Sequence, residues 1–148
     1  MILLEPRAFD PYAHLSAFSA EAVGAGAVAS FIGVVRGDDG KGVLALFLDY
    51  FPGVTEKAIT QAAEEARRRW PLVGVRIVHR IGEVKVGEPV VLVAVAAVHR
   101  RPALEACDFL MDFLKTEAPF WKKERRKDGD VWIEPRAEDY ADRARWDE

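Results

Sequence analysis

The residues that decide the fold are PVVLVAVAAVHRRPALEACDFLMDFLKT, which occupy positions 89–116. Residues 90–98 are almost wholly apolar, as is typical of a central strand that is buried on both faces. A His-Arg-Arg segment at 99–101 then leads into a helix, because Pro102 stands where the first turn of a helix favours proline. The pattern therefore predicts the centre of a sheet followed by a helix that runs to about Thr116.

Two further strand-like runs lie close together in the first third of the chain. Residues 25–35 and 43–50 are rich in β-favouring side chains, and the intervening residues 37–42 (GDDGKG) have strong turn chemistry. Because the two runs are so near in sequence, we expect them to pair as antiparallel neighbours. Arg36 would then lie at the open end of that pair.

The order of the remaining elements indicates the fold class. In chain order we expect a short strand at 2–5, a helix at 11–22, a helix capped by Thr55 that runs to about Arg69, a strand at 73–79, turns at 81–87, a charged loop at 123–130, an apolar segment at 131–133 and a helix near 139–145. Hairpins mixed with crossovers predict an α+β sandwich with a mixed, largely antiparallel sheet and packed helices.

Composition limits the class of protein. The 148 residues, half of them hydrophobic, suit one domain that spans the whole chain. A formal net charge of −3 argues against general nucleic-acid binding, and the single cysteine, Cys107, excludes an intramolecular disulfide. We find no cluster of metal-ligand spacing, no apolar run of membrane-span length and no signal-peptide plan. These features predict a cytoplasmic protein that needs no metal.

Two lysines flank a proline in FLMDFLKTEAPFWKKE, at positions 109–124. Lys115 falls at the edge of the apolar arc of the predicted helix, so we expect it to be half-covered, where a lysine is suited to act as a nucleophile or proton carrier. The stiff aromatic turn at 118–121 would hold Lys122 in a defined place. The structural alternatives are a helix-end lysine that complements the helix dipole and a solvated charged loop at 122–127.

Other cations stand where they could bind an anion. His99 and Arg100 precede a helix, whose amino end offers unpaired N–H groups that suit a phosphate, although they could equally cap the helix or face solvent. His79 and Arg80 form a second His-Arg pair, and spacing does not choose between the two pairs. Arg36 and Arg136 could be merely the polar end of a strand and a charge of the tail. No dinucleotide or P-loop fingerprint is present.

Three segments together resemble a known family. VHRIGE at 78–83, VHRRP at 98–102 and LKTEAPFWKKE at 114–124 follow the order and spacing of the large, catalytic subunit of molybdopterin synthase. The resemblance spans roughly residues 24–136. It departs from the family pattern after the His-Arg pair of the second segment and in the short loop at 37–42.

The resemblance implies a fold, a reaction and partners. The fold would be of the α/β-hammerhead type. The reaction would transfer sulfur to cyclic pyranopterin monophosphate and so build the dithiolene of molybdopterin, without a resident cofactor. The sulfur donor would be a ubiquitin-like small subunit whose carboxy-terminal Gly-Gly carries a thiocarboxylate. Large subunits would form a homodimer, and the active assembly would be a heterotetramer.

The resemblance also assigns residues. Lys115 matches the family's essential lysine, and Lys122 matches the second lysine of the PFWK segment. Pocket residues that would hold the substrate phosphate and pterin are matched by Arg36, His99 and Arg100, while Arg136 matches an arginine that the family supplies across the dimer.

Two rival classes of function remain. One is a module for nucleic acid or an acidic partner, which would need a broad basic face. The other is a non-catalytic module that only docks a ubiquitin-like tail.

Overall fold

A computed structural model describes residues 1–37 and 40–147 of the chain. In chain order the elements are β1 (Ile2–Glu5), α1 (Pro11–Glu21), β2 (Ala27–Val34), β3 (Val43–Tyr50), α2 (Val54–Arg69), β4 (Leu72–Arg80), β5 (Gly82–Lys85), β6 (Pro89–Ala97), α3 (Arg100–Thr116), β7 (Phe120–Arg126), β8 (Gly129–Ile133) and α4 (Ala137–Ala144), followed by a 3₁₀ turn at Arg145–Asp147. The α+β class predicted from the sequence is confirmed.

The strands of the described ranges divide into two four-stranded sheets. Sheet A has the order β1-β4-β6-β2, and sheet B has the order β5-β3-β7-β8. The β1–β4 pair of sheet A is parallel, and the other pairings are antiparallel. As predicted, β6 is the central strand, since it pairs with both β4 and β2.

The two faces of β6 explain how the helices pack. Val91, Val93 and Val95 point to the face that α2 and α3 cover, where the largest buried cluster lies. Ala94 and Ala96 point to the opposite face, where Phe18 of α1 packs against them. Because side chains alternate along a strand, a nearly continuous apolar run can bury both faces of the sheet. Sheet A is therefore covered by two helices on one face and by one helix on the other.

The predicted pairing of β2 with β3 is wrong. β2 pairs with β6 in sheet A, whereas β3 pairs with β5 and β7 in sheet B. The segment between them crosses from one sheet to the other, and residues 38 and 39 of its predicted turn lie outside the described residues. Proximity in sequence favoured a hairpin, but each strand finds its partners in a different sheet.

The predicted charged loop at 123–130 is also wrong, because it contains most of β7 and the start of β8. Lys123 is held between the rings of Phe47 and Trp132, 5.2 Å from each centroid. Arg125 forms an ion pair of 2.9 Å with Glu83 on β5. A strand whose charged side chains have partners on other strands of the sheet can form without the usual alternation of apolar and polar residues. In the same way, part of the turn expected at 81–87 forms β5.

The prediction that Thr55 caps α2 is wrong. The helix begins at Val54 after Gly53, whose φ of 82° suits glycine and whose N–H donates to the Glu56 carboxylate at 3.0 Å. The fully buried Thr55 hydroxyl instead donates to the carbonyl oxygen of Pro119 at 2.9 Å. The start of α2 is thereby tied to the connection between α3 and β7.

The tail packs back onto the helices that cover sheet A. Trp146 lies edge-on to Trp70 and Phe109, with ring centroids 5.6 and 5.7 Å away, and its indole Nε1 donates to Asp112 at 2.7 Å. This anchor fixes α4 close to the end of α3. No helix in the described part of the chain has the length and apolar character needed to cross a membrane.

Candidate active site

A cavity of about 760 Å³ opens where the two sheets meet the ends of α3 and α4. Its volume falls within the usual range of small-molecule sites. Four of the cations singled out in the sequence line it, each from a different element or connection: Arg36, Lys115, Lys122 and Arg136. The fold therefore brings together residues that are up to a hundred positions apart in sequence.

Lys115 stands in the last turn of α3, where a cation complements the helix dipole. Its side chain is exposed, and the prediction that the core would half-cover it is wrong. The helix ends directly after it, at Thr116, because Pro119 follows and the chain turns into β7. Lys115 therefore reaches the cavity from the helix end rather than from the apolar face.

Lys122 is the desolvated lysine of the pair. It lies in β7 between Leu48 of β3 and Ile133 of β8, and it is half-buried. Burial and, to a smaller extent, the nearby positive charge of Lys115 lower the pKa of Lys122 to about 8, although Asp139 partly opposes both effects. At neutral pH Lys122 is thus a cation that gives up its proton far more easily than a solvated lysine.

Arg136 and Asp139 hold each other at the cavity wall. The Asp139 carboxylate accepts from the Arg136 guanidinium at 3.0 Å and from the Arg136 backbone N–H at 2.9 Å, which closes the amino end of α4. This hydrogen bonding keeps the pKa of Asp139 below its usual value. Arg136 therefore reaches the cavity of its own chain, and its placement there needs no second protomer.

Three further cations of the cavity, Arg36, Lys115 and Lys122, differ from Arg136 in forming no ion pair with a described residue. No ion pair within residues 1–37 and 40–147 involves Arg36, Lys115 or Lys122, whereas the nearby Glu124 is paired with Arg126 at 3.0 Å. Cations that converge on a cavity without a carboxylate partner favour an anion or a group on which negative charge develops. The site is therefore suited to bind an anion or to stabilise developing negative charge.

His99 and Arg100 lie outside the cavity of their own chain. Both are exposed at the amino end of α3, and Lys115 stands at its carboxyl end. At 1.5 Å per residue, the 15 residues from Arg100 to Lys115 span roughly 22 Å. Only a second copy of the chain could bring this pair to the site.

His79, from the other His-Arg pair, does line the cavity. It is buried at the end of β4 and its ring stacks on Phe120, with centroids 4.1 Å apart. The sequence offered this residue only as one of two equivalent pairs. The distinguishing signal was its place at the end of a strand that enters the core.

Two other kinds of chemistry find no support at this site. Cys107 is buried on α3 beside the Val93 carbonyl, and burial raises its thiol pKa to about 12, which makes it an inert core thiol. No group of three or more His, Cys, Asp or Glu side chains among the described residues is arranged to hold a metal ion.

Fold and site together define a class: an α+β protein of two sheets with an open, cation-lined cavity at their junction. The family model described as MoaE protein matches residues 4–117 of the chain. The chain belongs to this family.

Individual relatives agree with the family match. The molybdopterin synthase catalytic subunit of Pseudomonas aeruginosa is 49% identical over 148 residues, which cover 99% of each chain. The solved structure of the molybdopterin biosynthesis MoaE protein from Burkholderia ambifaria is 45% identical, with a TM-score of 0.83 over 100% of this chain and 98% of that one. A molybdopterin-converting factor complex of subunits 1 and 2 from Helicobacter pylori contains a chain of the same fold, 23% identical, with a TM-score of 0.79 over 91% of each chain.

Proposed function

We propose that this chain is the catalytic subunit of a molybdopterin synthase, an enzyme of molybdenum cofactor biosynthesis. It transfers sulfur from a thiocarboxylated ubiquitin-like small subunit to cyclic pyranopterin monophosphate and so forms the dithiolene of molybdopterin. The observation that carries the proposal is the convergence of unpaired Lys115 and Lys122 on one cavity of ligand size. Membership of the MoaE family supports it.

The two lysines suit different parts of this reaction. In the proposed chemistry the thiocarboxylate sulfur bonds to a substrate carbon as a carbon–oxygen bond of the substrate breaks, and that oxygen leaves as water or stays on the phosphate. Water then cleaves the acyl–sulfur bond and leaves a carboxylate on the small subunit. Two such transfers supply the two sulfurs of the dithiolene. Lys115, exposed at the helix end, acts as the acid or base or as a transient nucleophile. Lys122, held rigidly between two strands, stabilises the negative charge that develops on the acyl oxygen.

The arginines provide the phosphate site. A guanidinium binds phosphate through paired, planar hydrogen bonds, and Arg36 and Arg136 both line the cavity. His99 and Arg100 complete the site from the second protomer of a homodimer, since they are too far from the cavity of their own chain. The small subunit inserts its Gly-Gly tail to form the heterotetramer. The reaction takes place in the cytoplasm and needs no resident cofactor.

One assay tests the function. Cyclic pyranopterin monophosphate is incubated without oxygen with thiocarboxylated small subunit and this chain, and the dithiolene product is detected. We expect product from the wild type and a loss of about 100-fold or more in Lys115→Ala. Lys57→Ala removes an exposed lysine of α2 and should leave turnover unchanged. A module that only docks the tail would bind it with or without the thiocarboxylate and would form no product.

A mixing experiment tests the shared site. Lys115→Ala and Arg100→Glu are each expected to form a poorly active homodimer. When the two are mixed and allowed to exchange, a mixed dimer holds one cavity with an intact lysine and an intact arginine from the partner. With equal amounts and free exchange, half of the dimers are mixed and each has one intact cavity of two, so recovery of about a quarter of the wild-type activity is expected. If mixing restored nothing while the dimers exchanged, Arg100 would not act across the dimer.

A further inference from the structure

His79 is built into the junction between the two sheets. It is 4% exposed, yet its side chain lines the cavity. Its ring lies almost parallel to that of Phe120 on β7, with an angle of 17° between the planes. Packing therefore fixes the orientation of the imidazole, and rotation about its side-chain bonds is not free.

The tautomer of His79 follows from its one internal hydrogen bond. Nδ1 lies 2.8 Å from the backbone carbonyl oxygen of Arg80. A carbonyl oxygen can only accept, so Nδ1 carries the proton. Burial, with smaller effects from the charges of Lys122 and Lys115, lowers the pKa of His79 to about 4, although the bond to Arg80 partly opposes this. At neutral pH the ring is uncharged, and Nε2 holds a lone pair.

The lone pair of Nε2 has no internal use. Within the described part of the chain no donor bonds to Nε2. The atom is nevertheless not completely enclosed by protein. Because Nδ1 is engaged with the Arg80 carbonyl, Nε2 is the ring nitrogen of His79 that is left available to the cavity. A neutral acceptor held there differs in kind from the cations around it, because it can pair only with a donor.

We propose that Nε2 of His79 accepts a hydrogen bond from a ring N–H group of the bound heterocycle, so that His79 selects the pterin part of the substrate. The inference rests on the proposed function, because a pterin supplies ring N–H donors that a phosphate lacks. The phosphate then pairs with the arginines of the cavity. His79 is in this account a specificity-determining residue and does not act as a base.

Two substitutions separate the two ring nitrogens. The side-chain amide of asparagine occupies the place of Nδ1, so His79→Asn can still donate to the Arg80 carbonyl but has nothing at the position of Nε2. Glutamine reaches the position of Nε2, so His79→Gln can offer an acceptor to the cavity but leaves the Arg80 carbonyl without its donor. Both variants lose the stack on Phe120, which makes each the control of the other.

The expected results cross over. The KM for cyclic pyranopterin monophosphate should rise about tenfold in His79→Asn, as one lost hydrogen bond implies, and by less than about threefold in His79→Gln. The unfolding midpoint should fall further in His79→Gln than in His79→Asn. A merely structural histidine would make the less stable variant the poorer enzyme. Equal KM values in two folded variants, or a higher KM in His79→Gln, would overturn the proposal.

A second measurement does not depend on turnover. Protein labelled with ¹⁵N-histidine shows three imidazoles, and His79 is identified as the one missing from His79→Gln. A simple pterin without a phosphate should shift the Nε2 resonance of His79, whereas inorganic phosphate and a Gly-Gly peptide should not. If wild type forms product but no pterin shifts Nε2, the proposed function stands and the role of His79 is rejected. If no product forms while pterin shifts the Nε2 resonance, the binding role of His79 stands and the proposed function is rejected.

Discussion

The hydroxyl of Thr55 bonds to the carbonyl oxygen of Pro119 across 64 positions of sequence, at 2.9 Å, and accepts a second bond of the same length from the N–H of Phe51. Pro119 lies between the two lysines of the site, Lys115 on α3 and Lys122 on β7. One buried hydroxyl therefore anchors the connection that sets the spacing of the lysines.

Replacing Thr55 by valine should weaken both the fold and the site. Valine has nearly the same shape but leaves the Pro119 carbonyl and the Phe51 N–H unpaired, which we expect to lower the free energy of unfolding by about 1–3 kcal/mol. Turnover should fall as well, because the connection between the lysines loses its anchor. Chemical denaturation and the product assay measure the two effects. Thr55→Ser keeps the hydroxyl and should preserve both, and an equal loss in Thr55→Ser would contradict this role.

The charge of Lys122 should be visible in the pH dependence of the reaction. Because its pKa is about 8 and the ordinary value is 10.5, the cation is lost as the pH rises through about 8. If Lys122 stabilises negative charge, kcat should fall over that range. Lys122→Arg retains a cation at all of these pH values, so its profile should lack the fall. The same fall in Lys122→Arg would assign it to another group.

The same lysine has an opposite effect on stability. A pKa that is lower in the folded than in the unfolded state means that the unfolded chain binds more protons between pH 8 and 10.5. Stability should therefore increase with pH in this window as far as Lys122 contributes. Denaturation curves at both ends of the window, compared with those of Lys122→Met, measure that contribution.

His79 should make the protein sensitive to mild acid. Its folded pKa of about 4 lies below the ordinary value of 6.5, so unfolding takes up a proton between these values and stability falls as the pH falls. The shift corresponds to about 2–3 kcal/mol between pH 7 and 4.5. Urea denaturation at the two pH values should show this loss in wild type and a smaller one in His79→Asn. An equal loss in both would assign the acid sensitivity to carboxylates.

Cys107 should be unreactive until the protein unfolds. Its thiol is buried and its pKa is raised to about 12 by burial, with a smaller effect from Asp108, so almost no thiolate exists at pH 8. A thiol reagent at pH 8 should label the single cysteine only after denaturant is added, and the labelling rate should then report the opening of the α3 region. Rapid labelling of the native protein would contradict the buried position.

The sequence predicted best where local pattern and burial agree. The apolar run that becomes β6, followed by a proline at the start of α3, could adopt few other arrangements. It failed where partners come from distant strands. The charged residues of β7 are typical of a loop, but Lys123 lies between two rings and Arg125 pairs with a carboxylate, all on other strands of the same sheet. Hydrophobic periodicity describes one segment at a time and therefore cannot predict contacts between distant strands.

The candidate site shows the same division. Lys115 and Lys122 are close in sequence, so their convergence could be predicted from the proline between them. His79 and Asp139 could not be placed, because they come from the end of β4 and from the tail and meet only when both sheets and α4 are in position. Whether a lysine is desolvated also depends on tertiary packing, which is why the expected half-covered residue proved to be Lys122 and not Lys115.

The way in which the tail is attached determines what one wall of the cavity depends on. α4 belongs to neither sheet, and the tail is held by the Trp146 anchor, by the ion pair of Arg145 with the largely buried Asp112, and by the exposed pair of Arg145 with Asp108, which contributes little. Arg136 therefore enters the cavity on a segment that is fixed by side-chain contacts with α3 and not by strand register. Substitutions in the tail can thus change this wall while both sheets keep their pairing.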